Sequence, residues 1–364
     1  MELLFGDIFF DINTYKLLWV LYFLLSLMVL VFIFILIFSF YKRRLENKKR
    51  TWQDHLATMI SQAIFFEKEG DKDLEITQEV QQLMPNETFR QYFIDELIHA
   101  KKNLSGAPIE NLIHLYERLE LDKDSLKKLG SKKWHIKAKG IQELAIMEQV
   151  KYVRQIFRLT NDANELVRNE AQCALVNFYG FKGLRFLNVI LYAISRWQQI
   201  QLLNYLHDLQ DVSPVQLKKW LRSPNDSVVT LALMLADLYS CQEVYSEVIH
   251  CLQNANTQVK MGALDYLKKI NRPDTSSEII KCYASSERKV KLIILSVLRE
   301  TGNEGQLPFL LKQLHHIDDT IKLAAARAIS SLHPLGTAFF QNHLFADEYP
   351  WDAIFSQINN ERAA

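Results

Sequence analysis

Apolar positions in the second half of the chain recur on a fixed ruler. A β-branched residue stands at Ile136, Val167, Val228, Val259, Val290 and Ile321, with spacings of 31, 61, 31, 31 and 31. The 61 is two units, and its absent marker falls at Gln198. Eight residues past each marker lie Leu144, Leu175, Leu206, Ala236, Leu267, Leu298 and Ile329; four past lie Gly140, Ala171, Leu202, Ala232, Ala263, Ile294 and Ala325. Offsets 0, +4 and +8 share one helical face, and the mostly small middle residue lets a neighbouring helix come close. Three residues ahead of the markers stand Asn164, Asn225, Asn256, Glu287 and Asp318, four of them good helix N-caps.

A second helix shows in the positions eleven before the marker: Ile156, Leu187, Leu217, Val248, Ile279 and Leu310. Gly180, Pro214, Pro273, Gly302, Gly305 and Pro334 punctuate the segments between helices. Each unit is a helical hairpin that cannot cover its own apolar face and must stack. No segment alternates with a strand's period. The pattern predicts an all-α chain, an α-solenoid of about seven 31-residue hairpins.

The run Asp162-Ala-Asn-Glu-Leu-Val167-Arg168-Asn-Glu-Ala171-Gln-Cys-Ala174-Leu175 resembles a HEAT repeat of the short bacterial type. Val259-Lys260, Val290-Lys291 and Ile321-Lys322-Leu-Ala-Ala-Ala-Arg-Ala-Ile329 carry the same pattern, whereas Gln198-Gln199 departs from it. The resemblance covers about 131–345 and implies an ARM/HEAT-type superhelix, a fold that mostly binds other macromolecules. It points to no particular partner.

Leu17 to Tyr41 is 25 residues without a charge. At 1.5 Å per residue it reaches roughly 37 Å, enough to cross a bilayer core of about 30 Å. Acidic Glu2, Asp7 and Asp11 precede it, and the flank Lys42–Arg50 holds six positive charges and one negative. That asymmetry predicts a single inner-membrane span with residues 1–16 outside and the remainder in the cytoplasm. The flank would meet anionic headgroups. The expected organisation is therefore 1–16 outside, a 17–41 span, a 42–50 basic segment, a 51–130 helical entry and cap, 131–345 repeats and a 346–364 C-terminal cap. Within the entry, three helical patterns run from Thr88 to Leu129, with Pro108 in the first turn of the second and Asp122 or Asp124 capping the third. Phe345, Tyr349, Trp351 and Phe355 belong to the closing segment.

The chain has 43 Lys and Arg against 42 Asp and Glu, and residues 51–364 carry a net −2, so no overall field draws nucleic acid. The four cysteines sit in helical patterns without a CxxC pair. Cys251 and Cys282 occupy one apolar column a repeat apart. His207-Asp208, and His315-His316 ahead of Asp318-Asp319, lack third partners at metal-ligand spacing. No phosphate-binding or nucleophile motif is present, and no cofactor is expected.

Two basic ladders remain. Lys137, Arg168, Lys260, Lys291 and Lys322 follow the markers and read as packing residues. Nine before the markers stand Arg158, Lys219, His250, Lys281 and Lys312, with Val189 interrupting. These five form the candidate partner-binding stripe, expected on the concave face. The expected role is a membrane-anchored, non-catalytic scaffold for a protein partner, with a metal-dependent enzyme on divergent hairpins or a self-assembling element as alternatives.

Overall fold

The computed structural model describes residues 14–66, 75–206, 212–332 and 350–363. The N-terminal tip, residues 67–74, His207-Asp208, Pro334, Phe345 and Tyr349 lie outside the described residues. Every described element is helical. The chain divides into two compact units, Met1–Ser125 and Leu126–Ala364.

In the first unit α1 runs unbroken from Thr14 to Ile64, 51 residues or roughly 76 Å. No glycine or proline interrupts 14–66, so the apolar segment, the basic flank and the first part of the expected entry region form one rod. Leu18 to Tyr41 is exposed apart from half-buried Ser39. This is the one helix among the described residues long and apolar enough to cross a membrane. Ten residues past Lys42 the periodicity begins to bury: Trp52, Leu56, Met59, Ile60 and Ala63. They pack against α3 (Glu87–Lys102) and α4 (Ala107–Arg118), with the Trp52 ring edge-on to Phe89 at 5.4 Å.

Asn111 closes the far end of α1 by donating to the carbonyls of Ala63 (3.0 Å) and Phe66 (2.9 Å). A short α2 (Gln78–Leu83) precedes α3, and Pro108 sits in the first turn of α4. The third expected helix, α5 (Leu121–Leu129), starts ahead of the two aspartates proposed as its cap. Asp124 instead takes the guanidinium of Arg90, which also donates to the Met84 carbonyl at 2.8 Å.

The second unit is a two-layer stack. Its long helices are α6 (Trp134–Ile146), α8 (Glu165–Tyr179), α9 (Arg196–Asn204), α11 (Asp226–Leu238), α13 (Thr257–Lys269), α15 (Arg288–Thr301) and α17 (Asp319–Leu332). Between them lie α7 (Val153–Arg158), a 3₁₀ segment Gly180–Asn188, α10 (Pro214–Leu221), α12 (Tyr245–Cys251), α14 (Thr275–Tyr283) and α16 (Leu307–Gln313). Each of these packs on the long helix beside it in sequence, and α6–α8, α11–α13, α13–α15 and α15–α17 pack directly on each other. Neighbour-on-neighbour contact of this kind is the packing of an α-solenoid. A last helix, α18 (Trp351–Ala363), lies on α17 and buries Ile354 and Ile358 in the same core.

The columns read from the sequence are this core. All +4 and +8 positions are buried, as are the six positions eleven before the markers and every marker from Val167 on; Ile136, at the stack's first helix, is half-buried. Asn164, Asn225, Asn256 and Asp318 cap their helices by accepting main-chain N–H bonds of 2.8–3.1 Å, while the Glu287 side chain makes no cap bond.

The unit that breaks the consensus also breaks the structure. Gly180 ends α8 at φ +53°, where a side chain would be strained. The following segment then lies so close to α8 that a Cβ on Gly183 would stand 2.1 Å from the Leu175 carbonyl oxygen. A regular second helix is replaced by 3₁₀ turns, and α9 keeps only nine residues.

Candidate functional site

Four of the five residues in the ladder that follows the markers make packing or pairing contacts. Lys137 pairs with Asp162 at 2.7 Å, and Lys322 with Asp319 at 2.7 Å. Arg168 donates to the carbonyls of Asp162 (2.9 Å) and Ala163 (3.0 Å) and lies 4.0 Å over the Tyr192 ring. Lys291 sits over Tyr283 at 5.4 Å. Lys137, with neighbouring hydrogen bonds, holds the Asp162 carboxyl below its usual range against the opposing effect of burial.

The candidate stripe residues Arg158, Lys219, His250, Lys281 and Lys312 are all exposed, each in the last turn of its short helix. A cation there complements the helix dipole. Lys281 pairs with Glu278 at 2.7 Å. The five therefore hold equivalent places, one at the end of each short helix.

Of the histidine–aspartate candidates, the cluster at His315–Asp319 serves local structure. His316 accepts the Asp318 N–H on Nδ1 at 3.0 Å, and Asp318 binds the Arg288 guanidinium and the Thr320 hydroxyl. Those bonds hold the Asp318 carboxyl far below the usual range. Among the described residues no three His, Cys, Asp or Glu side chains gather at metal-binding distance. The four cysteines are buried and unpaired. Burial pushes Cys173 up to about 12 and Cys251 to about 11, so neither is a nucleophile at neutral pH.

A separate feature lies on the long-helix layer. A groove of about 790 Å³ opens between α9, α11 and α13, lined among others by Arg196, Leu203, Met234, Met261, Asp237 and Asp265. Arg196 reaches the Met234 sulfur at 3.3 Å. Asp237 has Lys269 beside it at 3.6 Å. Asp265 has no ion pair or hydrogen bond among the described residues; desolvation and the charge of Asp237 raise its carboxyl above the usual value.

One side of the groove is α9, whose amphipathicity is inverted. Gln198, Gln199 and Leu202 are buried, whereas Trp197 is 67% exposed and Ile200 39%. Gln198 completes a capping box with Ser195, and Gln199 donates to the Ser227 carbonyl at 3.0 Å, tying α9 to the start of α11. Two glutamines thus hold the positions that Val-Arg holds elsewhere. Trp197 and Ile200 are exposed on the side of α9 that carries the groove residue Asn204, next to the groove rather than lining it. The period-breaking dipeptide was the sequence signal for this surface, but the spacing alone did not show that the helix turns its aromatic outward.

No protein-family model matches the chain, and no curated protein matches it in sequence. Similar solved structures include an engineered protein, 15% identical over 70% of this chain and 78% of that one, with a TM-score of 0.33. Human deoxyhypusine hydroxylase in complex with glycerol is 9% identical over 78% and 98%, with a TM-score of 0.31. A designed armadillo repeat protein in complex with the peptide (KR)4 is 17% identical over 70% and 98%, with a TM-score of 0.25. The solenoid is defined by the chain's own packing.

Proposed function

We propose that this protein is a single-span, membrane-anchored scaffold whose HEAT-like stack of about seven hairpins docks a protein partner without catalysing a reaction. The basic flank of α1 favours an N-terminus outside the inner membrane and a solenoid in the cytoplasm. The surface that carries the reading is the groove over α9, α11 and α13. Most long helices pack directly on the next, α6 on α8, α11 on α13, α13 on α15 and α15 on α17, whereas among the short helices α10 and α12 touch lightly and the other neighbours scarcely meet. In a curved two-layer stack the tighter layer is the inner one, so the partner surface belongs to the long helices rather than to the basic stripe.

Trp197, Met234 and Met261 supply large, adaptable apolar contacts of the kind that anchor interfaces. Asp237 and Asp265 favour a cationic residue in the docked segment. The occupant is accordingly a protein segment with an apolar strip around a lysine or arginine. Membrane tethering confines scaffold and client to one shell, so modest affinity suffices.

The test is mild-detergent co-purification of the full-length protein beside two variants. Met234→Glu with Met261→Glu alters the groove; Lys281→Glu with Lys312→Glu alters the stripe. A partner kept by the wild type and the stripe variant but lost from the groove variant, with unchanged melting, supports the reading. Loss from the stripe variant alone overturns it.

A further inference from the structure

Three successive segments of the short-helix layer differ from the rest in charge. Residues 150–160, 180–192 and 212–223 contain eight lysines and arginines and no acidic residue. The next elements along the layer carry Glu243, Glu247 and Glu278. Because residues 51–364 are slightly acidic as a whole, this face is a local cationic island.

The three segments lie side by side. Asn161, just past α7, donates to the Val189 carbonyl at 3.0 Å and accepts from the Leu191 N–H at 2.8 Å. Trp220 of α10 donates to Asn188 at 3.2 Å and packs its ring on Phe181 at 5.4 Å. Arg154, Arg158, Lys182, Arg185 and Lys219 are exposed, and Lys218 is half-buried. Among them Val189, Leu191 and Val215 project into solvent; Leu191 is 79% exposed and Val215 73%.

Beside Val215 a recess of about 550 Å³ is lined by Asn188, Lys218, Lys219, Arg222 and Glu247 among others. Its one carboxylate, Glu247, is held by Arg222 at 2.9 Å at the edge of the island.

We propose that this face docks on the surface of an anionic bilayer, the cations meeting headgroup phosphates and carboxylates while Val189, Leu191 and Val215 enter the acyl boundary. The inference rests on the membrane-anchored reading above. Cations interleaved with protruding aliphatics are the chemistry of interfacial membrane binding, which needs both parts. A nucleic-acid surface would instead present stacking platforms. Here Phe181 and Trp220 are buried together, Tyr192 is 41% exposed but has one ring face taken by Arg168, and Phe157 is exposed at the edge of α7, so aliphatic side chains rather than a row of open rings dominate the face. The spanning helix holds the chain at the bilayer, so a weak second contact is enough to seat the face.

The experiment uses the full chain with Val215→Cys carrying an environment-sensitive fluorophore. The native cysteines are buried, so labelling is confined to the new one. The protein is placed in nanodiscs of phosphatidylcholine alone or with about a third phosphatidylserine. A blue shift and rise in emission only in the serine-containing discs, reversed by high salt, is the expected result. Arg185→Glu, Lys218→Glu and Lys219→Glu together should abolish it, since each charge contributes about fivefold to anionic-surface binding and three contribute on the order of a hundredfold. Equal emission in both discs refutes the docking and leaves the anchor standing. A shift of the same size when polyglutamate or oligouridylate is added to phosphatidylcholine discs makes the face a general polyanion site and overturns the lipid assignment. A chain that enters neither disc refutes the anchor, and the docking with it.

Discussion

Gly183→Ala tests the irregular repeat at its tightest point. A Cβ on Gly183 would sit 2.1 Å from the Leu175 oxygen, 2.6 Å from the Leu175 carbonyl carbon and 2.8 Å from the Val176 Cα. All three are main-chain atoms in the body of α8, so no rotamer change relieves the overlap. Restoring ordinary contact requires the 180–188 segment to back away by about 1 Å from a core that includes Phe181, Leu184 and Phe186. Overpacking of this kind costs about 3 kcal/mol. For a unit the size of Leu126–Ala364 this lowers Tm by roughly 6–12 °C.

Gly262→Ala is the control. Its Cβ would meet only the Leu233 side chain, at 3.3 Å, and α13 would gain the roughly 0.5–1 kcal/mol that alanine offers over glycine within a helix. Circular-dichroism melting of both variants in the same detergent gives the comparison. The expected result is a large loss for Gly183→Ala and near wild-type melting for Gly262→Ala. If Gly183→Ala melts with the wild type, the close approach that replaces a helix by 3₁₀ turns is wrong.

Two further outcomes follow from the packing. Ala263→Arg forces a charge into the buried contact of α13 with its neighbours and should cost about 3 kcal/mol or more, read by the same melts; an unchanged Tm would displace the repeat register. Asp318→Asn keeps an N-cap on α17 but loses the Arg288 pair. The native carboxyl titrates below its unfolded value near 3.9, so the pair's stabilisation is present above that pH and fades as pH falls below it. Wild type and variant should differ slightly at neutral pH and converge in acid; a gap that widens in acid contradicts the assigned pairing.

The repeat core was legible because each hairpin buries the same offsets, so a periodic sequence and a periodic core are one pattern. Val167, Val228, Val259, Val290 and Ile321 are all essentially inaccessible. The caps at Asn164, Asn225 and Asn256 were legible for the same reason: each is a local main-chain event. Three things were not. The unbroken α1 reflects an absence of breakers, which composition windows divide by polarity rather than by backbone.

The inverted face of α9 depends on Gln199 finding the Ser227 carbonyl 28 positions away. The layer that carries the groove depends on how closely whole helices approach, a property of pairs and not of any single segment. The basic stripe was visible as a ladder on the second helix of each unit, and its five members lie there. Only Arg158 and Lys219 of its five members fall on the cationic island; His250, Lys281 and Lys312 continue along the layer beyond it.

The most direct measurement is site-specific photo-crosslinking in cells, with a benzophenone amino acid placed in turn at Trp197, Met234 and Asp265 and, for comparison, at Lys281 and Lys312. Docking in the groove predicts one adduct of the same mass from the three long-helix positions and none from the two on the short-helix layer. An adduct confined to Lys281 and Lys312 would return the partner to the stripe and contradict the groove as the docking surface.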